Sequence, residues 1–85
     1  MVAQVEVQVT KKIPLARARV QLLLSQRALS ERSGISGPTI VSAEHGEIIR
    51  ALTAQALLNA LNEVRAEKGW EPWELSDIDW KIQGD

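Results

Sequence analysis

Gln26-Arg-Ala-Leu-Ser-Glu-Arg-Ser-Gly34-Ile-Ser-Gly-Pro-Thr-Ile-Val-Ser-Ala-Glu44-His-Gly46 is the stretch that decides how this chain folds. It reads as two short helices joined by a tight turn. Ser25, just before it, is placed to cap a helix over Gln26 to Ser33, with Leu29 as its main buried residue. Gly34 stands where that helix must stop, at a position needing a left-handed residue. Ser36 then caps a further helix with Pro38 in its first turn, Ile40 and Ala43 facing inward and Gly46 ending it.

Working outward, Pro14 suits the first turn of a preceding helix. There Ala16, Val20 and Leu23 repeat at i, i+4 and i+7, and Leu15, Leu22 and Leu24 widen the apolar face. Downstream, residues 47 to 52 read as a connection containing Ile48 and Ile49. Thr53 is placed to cap a long fourth helix with Leu57, Leu61 and Val64 in one stripe beside Leu58 and Ala60. Glu63 and Glu67 lie on its outer side, and Gly69 closes it. At the two ends the period changes to two. Val5, Val7 and Val9 alternate with polar residues, and so do Ile78, Trp80 and Ile82. A strand needs a partner, so these segments are expected to form a small antiparallel ribbon, within one chain or between two. The expected organisation is a single domain over 1–85, with a helix-turn-helix unit at 26–45. An N-terminal strand or arm covers 1–12, and a Trp-rich extension covers 70–85.

Composition narrows the function classes. At 85 residues, 45% hydrophobic and 25% charged, the chain is sized and balanced for one globular core. It has no cysteine and one histidine, His45, which removes disulfides, thiolate sites and multi-histidine metal sites. No metal or cofactor is expected. The apolar runs are far shorter than the roughly 20 residues of a membrane span. Met1 to Lys12 does not read as a secretory leader, so a cytoplasmic location is expected. The net charge of −1 hides an asymmetry: residues 1–50 hold seven Lys/Arg against four Glu, and residues 51–85 hold three against seven acids. A basic half able to meet phosphate and an acidic half facing away would produce this, as would ordinary solvated charge. Neither Asp77 with Asp79 nor any Ser/His arrangement makes a catalytic site, so an enzyme is not expected.

From about Leu15 to Leu61 the chain resembles the XRE family of helix-turn-helix domains, the lambda-repressor and Cro type. The resemblance implies a mainly α, lambda-repressor-like bundle of four to five helices. Leu29, Ile35 and Ile40 fall where two crossing helices share a small core, and Ser30 is small where they approach. Members often pair an Arg of the first helix with a Glu ending the third, positions held here by Arg19 and Glu44. Leu52 to Leu61 resembles the family's fourth helix.

In that family the Gln opening the second helix meets a phosphate and the third helix, here about 37–45, enters the major groove. The implied DNA-binding residues are therefore Gln26, Arg27, Ser36, Gly37, Pro38, Thr39, Val41, Ser42, His45 and Arg50. Backbone amides at Gln26 and at Ser36 to Thr39 add to the phosphate contacts. The base-facing set is Gly37, Pro38, Val41 and Ser42, none of which makes the bidentate contacts that read guanine or adenine. Thr39 fits a half-buried or capping place as well as a contact.

Arg27 and Arg32 are open to phosphate contact or plain solvation. Lys11 and Lys12 are open to forming a short basic arm, and His45 to favouring a helix end or meeting phosphate. The chain has three tryptophans and no Phe or Tyr. They fit core anchoring, filling volume left by Ser33 and Ala43, which are smaller than the family's usual residues, or a dimer interface. The expected function is a sequence-specific transcriptional regulator of repressor type, a homodimer on double-stranded DNA. The alternative is an antitoxin-like or phage accessory module, binding a protein partner through its strands and Trp-rich tail.

Overall fold

The computed structural model describes residues 12–84. It is a mainly α bundle: α1 (Leu15–Gln21), α2 (Gln26–Ser33), α3 (Gly37–Glu44) and α4 (Ala51–Glu67), with a 3-10 turn at Leu75–Asp77. Four short strands flank it: β1 (Ile13–Pro14), β2 (Ile48–Arg50), β3 (Ile78–Asp79) and β4 (Lys81–Gln83). Among the described residues, no helix is long and apolar enough to cross a membrane.

The core draws on nearly every element: Leu15, Ala18 and Leu22 from the α1 region, Leu29 from α2, Ile40 and Ala43 from α3, and Ile49 from β2. The α4 stripe of Leu57, Leu58, Ala60, Leu61 and Val64 is buried as its helical period predicts, while Glu63 and Glu67 stay outside. The inward face of α1 differs from the expected one. Leu15, Ala18 and Leu22 are buried, whereas Val20 is 57% and Leu23 86% exposed. This helix is apolar on most sides, so its period did not fix the phase. Moreover α1 ends at Gln21, and Leu23 lies in the following turn with a left-handed φ of 59°.

The start of α4 is also earlier than Thr53. Arg50 is the N-cap residue, in extended conformation and without a side-chain capping bond, so β2 runs directly into the helix. Ile48 to Arg50, expected as plain connection, is a strand that turns Ile49 into the core and leaves Ile48 and Arg50 outside.

The C-terminal alternating segment does form strand, interrupted at the buried Trp80, and its first half pairs with the start of the described chain. The pairing is parallel, not antiparallel: Ile13 opposite Ile78 in one ladder, and Ile49 opposite Ile82 in the other. The connection permits this direction, because β2 reaches β4 through the whole of α4, and parallel strands need a crossover of at least about a dozen residues. The alternating segment around Val5, Val7 and Val9, with Lys11, lies outside the described residues.

Candidate nucleic-acid interface

The unit that presents α3 is held by short-range chemistry at each of its ends. The Ser25 Oγ accepts from the Ala28 N–H at 2.9 Å and starts α2. Gly34, at φ 77°, reverses the chain, and its N–H closes on the Ser30 carbonyl at 2.8 Å. The Ser30 hydroxyl donates to the Ile35 carbonyl at 2.6 Å, so this small residue ties the turn as well as making room for it. Ser36 then caps α3. Its Oγ accepts from the Thr39 N–H at 3.4 Å and its hydroxyl donates to the Thr39 Oγ1 at 2.9 Å. Thr39 is thus half-buried and occupied in the cap.

Behind α3 sits a charged clamp joining three helices. The Arg19 Nε donates to Glu44 Oε2 at 2.6 Å and its Nη2 to Oε1 at 3.3 Å, while Nη1 donates to the Leu24 carbonyl at 2.9 Å. The two side chains are only 14% and 7% exposed. The Gln26 amide also donates to Glu44 Oε1, at 2.9 Å. With three helices converging on one carboxylate, removing either charged partner strands the other in a mostly dehydrated place. Gln26 therefore has a structural role that its sequence position did not disclose.

With Ile40, Ala43 and the Glu44 side chain turned inward, Pro38, Val41, Ser42 and His45, at i, i+3, i+4 and i+7, share the opposite side of α3, and Gly37 opens the helix at the edge between the two. Pro38 and His45 are exposed, and Gly37, Val41 and Ser42 half-buried. Three of the four residues that the sequence marks as base-facing, Pro38, Val41 and Ser42, thus share one side of one helix. Beside it runs an open groove whose walls include Thr39 and Ser42 of α3, Glu47, Arg50 and Thr53. Thr53, in the first turn of α4, lines this groove with α3, a proximity that sequence spacing did not reveal because β2 intervenes between the two helices.

The arginines divide. Arg27 is 88% exposed and shares an i,i+4 ion pair with Glu31 at 3.3 Å, leaving it accessible. Arg32 is not on this surface: it bridges α2 to α4 through Glu67 at 3.2 Å and Glu63 at 3.6 Å. Arg32 remains exposed, and its engagement by two glutamates one turn apart on α4 is a role that neither plain solvation nor phosphate contact included. Lys12 and Arg50 are exposed.

The tryptophans also divide. Trp80 is in the core and its indole N–H donates to the Leu75 carbonyl at 3.1 Å. Trp73 packs against the core, with its backbone N–H and carbonyl both bonded to the Asn62 side chain and the Arg65 guanidinium 4.0 Å from its ring centre. Trp70 is 47% exposed. Core anchoring therefore accounts for two of the three.

A helix-turn-helix family model matches residues 15–68, which takes in all four helices of the bundle. No curated protein and no solved structure matches the chain. Well over half of the sequence lies inside the matched region, and the capped helices, glycine turn and buried Arg19–Glu44 pair fall within it. The chain belongs to the helix-turn-helix family of the XRE type, and its helical bundle is a non-catalytic DNA-binding module.

Proposed function

We propose that the chain is a sequence-specific transcriptional regulator of repressor type, acting in the cytoplasm as a homodimer on double-stranded DNA. In this reading the whole of 1–85 works as one domain, and α3 with His45 enters the major groove. Gly37, Pro38, Val41 and Ser42 face the base edges. Gln26, Arg27, Ser36, Thr39, His45 and Arg50 meet the backbone. The observation that carries the reading is the division of α3 into two sides. One is buried and clamped through Glu44, and the other lies outside the core, with Pro38 and His45 exposed and Val41 and Ser42 half-buried between them.

The chemistry of the open side also sets the character of the binding. Val41 offers a methyl contact for thymine and Ser42 one hydrogen bond, so direct readout is thin. Selectivity then comes largely from DNA shape and from the spacing of two half-sites. Few cations face the backbone and Glu47 borders the groove, so affinity should fall only gently with salt. Selection from a random DNA pool at low salt tests the reading: enrichment of a common motif is expected, and no enrichment argues against it. The thin base-reading set also favours a second reading, a protein-interaction module on the same fold. Copurification of a different protein without any DNA binding would support that one instead.

A further inference from the structure

The helix-turn-helix match ends at residue 68, and the Trp-rich extension beyond it runs back along the bundle, tied to it at successive points. Nearest to α4, the Asn62 side chain grips the backbone of Trp73 from both directions. Its Nδ2 donates to the Trp73 carbonyl at 2.9 Å, and its Oδ1 accepts from the Trp73 N–H at 2.8 Å. Further on, Ile78 and Trp80 are buried in the core. At the far end β4 lies along β2, with Ile82 opposite Ile49 and Gln83 opposite Arg50. We propose that Asn62 is a positioning residue for DNA binding: by fixing Trp73 it holds β4 against β2, and so sets Arg50 in its place beside α3. The proposal rests on the DNA-binding reading above, in which Arg50 meets the backbone.

The chemistry of the grip is specific to a side-chain amide. An amide carries an acceptor and a donor in one plane, which matches the carbonyl and N–H of a single residue. A carboxylate at this position would lack the donor, and an alanine would leave both Trp73 backbone groups without their partner. Asn62 is half-buried, as is Trp73, so the bonds are made in a partly dehydrated place. The extension thus leaves α4 from a fixed point, and the strand that follows it is aimed from there.

At the other end, β2 has little else to hold it. Ile49 is its one buried side chain, and Arg50 starts α4 without a side-chain capping bond. Among the described residues β4 is its ladder partner. A short strand with one buried side chain opens locally when its pairing is lost, while a packed helical core stays closed. Arg50 is exposed and lines the groove with Thr39 and Ser42 of α3, so its place relative to α3 is set by β2. Asn62 therefore acts on the DNA-facing surface through Trp73, β4 and β2, without itself lining the groove.

The test is a double-mutant cycle on the full chain, with affinity for a selected duplex measured over a range of salt at a temperature where circular dichroism shows each variant folded. Arg50→Ala should weaken binding roughly 10-fold and lower the salt slope by about 1, as loss of one phosphate contact does. Asn62→Ala should weaken binding by a similar or smaller factor and lower the salt slope in the same direction. In the Arg50→Ala background, Asn62→Ala should then change affinity by a factor near 1. Backbone amide exchange should quicken at Ile49 and stay slow at Leu57 and Leu61. A loss that is equal in both backgrounds and leaves the salt slope unchanged would mark a merely structural role and overturn the proposal, as would no loss at all. Should Asn62→Ala fail to fold, Ile82→Ala, which loosens the ladder opposite Ile49, carries the same comparison with the same expected and overturning results. Absence of binding by the parent chain would instead overturn the DNA reading, and this proposal with it.

Discussion

The two sides of α3 contrast in almost every physical respect. The inner side carries Ile40 and Ala43 in a closed core and Glu44 in a clamp that reaches two other helices. The outer side carries Pro38, Val41, Ser42 and His45, with no Lys, Arg, Asp or Glu among them. The difference teaches that this helix is specified from behind. Its position is dictated mainly by contacts behind it, which leaves the outer side chains freer to vary at small cost to the fold. In a DNA-binding module that is the useful division, since the reading residues can change while the presenting scaffold persists.

The sharpest way to break the contrast is from the inner side. Arg19→Ala leaves Glu44 mostly buried without its cation, and the expected loss is about 3–5 kcal/mol in a urea or thermal melt. A loss near zero would mean that the pair is not what holds α3. Next comes the cap at the edge between the two sides: Ser36→Ala should cost about 1 kcal/mol, because the Thr39 N–H and hydroxyl lose their partner. Leu23 offers a change of the opposite sign. Its left-handed φ is strained for a leucine and its side chain is almost fully exposed, so Leu23→Gly should raise stability by roughly 0.5–1 kcal/mol. Failure to stabilise would mean that the exposed leucine makes contacts that offset the strain. From the outer side, Val41→Ala, at a half-buried residue outside the core, should move the melt by less than about 1 kcal/mol. Its effect should appear instead in the DNA sequences that the chain selects.

The same contrast separates what the sequence disclosed from what it did not. Ser25, Gly34, Ser36, Pro38 and Gly46 are local signals, because caps and positive-φ turns depend on residues only a few positions away, and all stand where their chemistry predicts. The buried Arg19–Glu44 pair was legible only through family resemblance, since nothing local links two residues 25 apart. The phase of α1 was hidden by its own composition: with Leu15, Val20, Leu22, Leu23 and Leu24 available, packing and not periodicity chose the face. In the tail, alternation around Trp80 disclosed strands but not their partners or direction. Those depend on where α4 ends and how the chain returns past it. Pro38, Val41, Ser42 and His45 were legible as a set because a helix places i, i+3, i+4 and i+7 on one face. Thr53 and the Gln26–Glu44 bond were not, because both arise from tertiary neighbours.

The central claim is that the outer side of α3 meets DNA while the Trp-rich extension does not. Titrating a selected duplex into isotope-labelled chain and following each backbone amide by NMR tests it most directly. The account predicts shifts concentrated at Gln26, Gly37, Val41, Ser42 and His45, with Trp70 to Gln83 little changed apart from the ladder beside β2. Shifts centred on Trp70 and Trp73, with α3 unmoved, would contradict it.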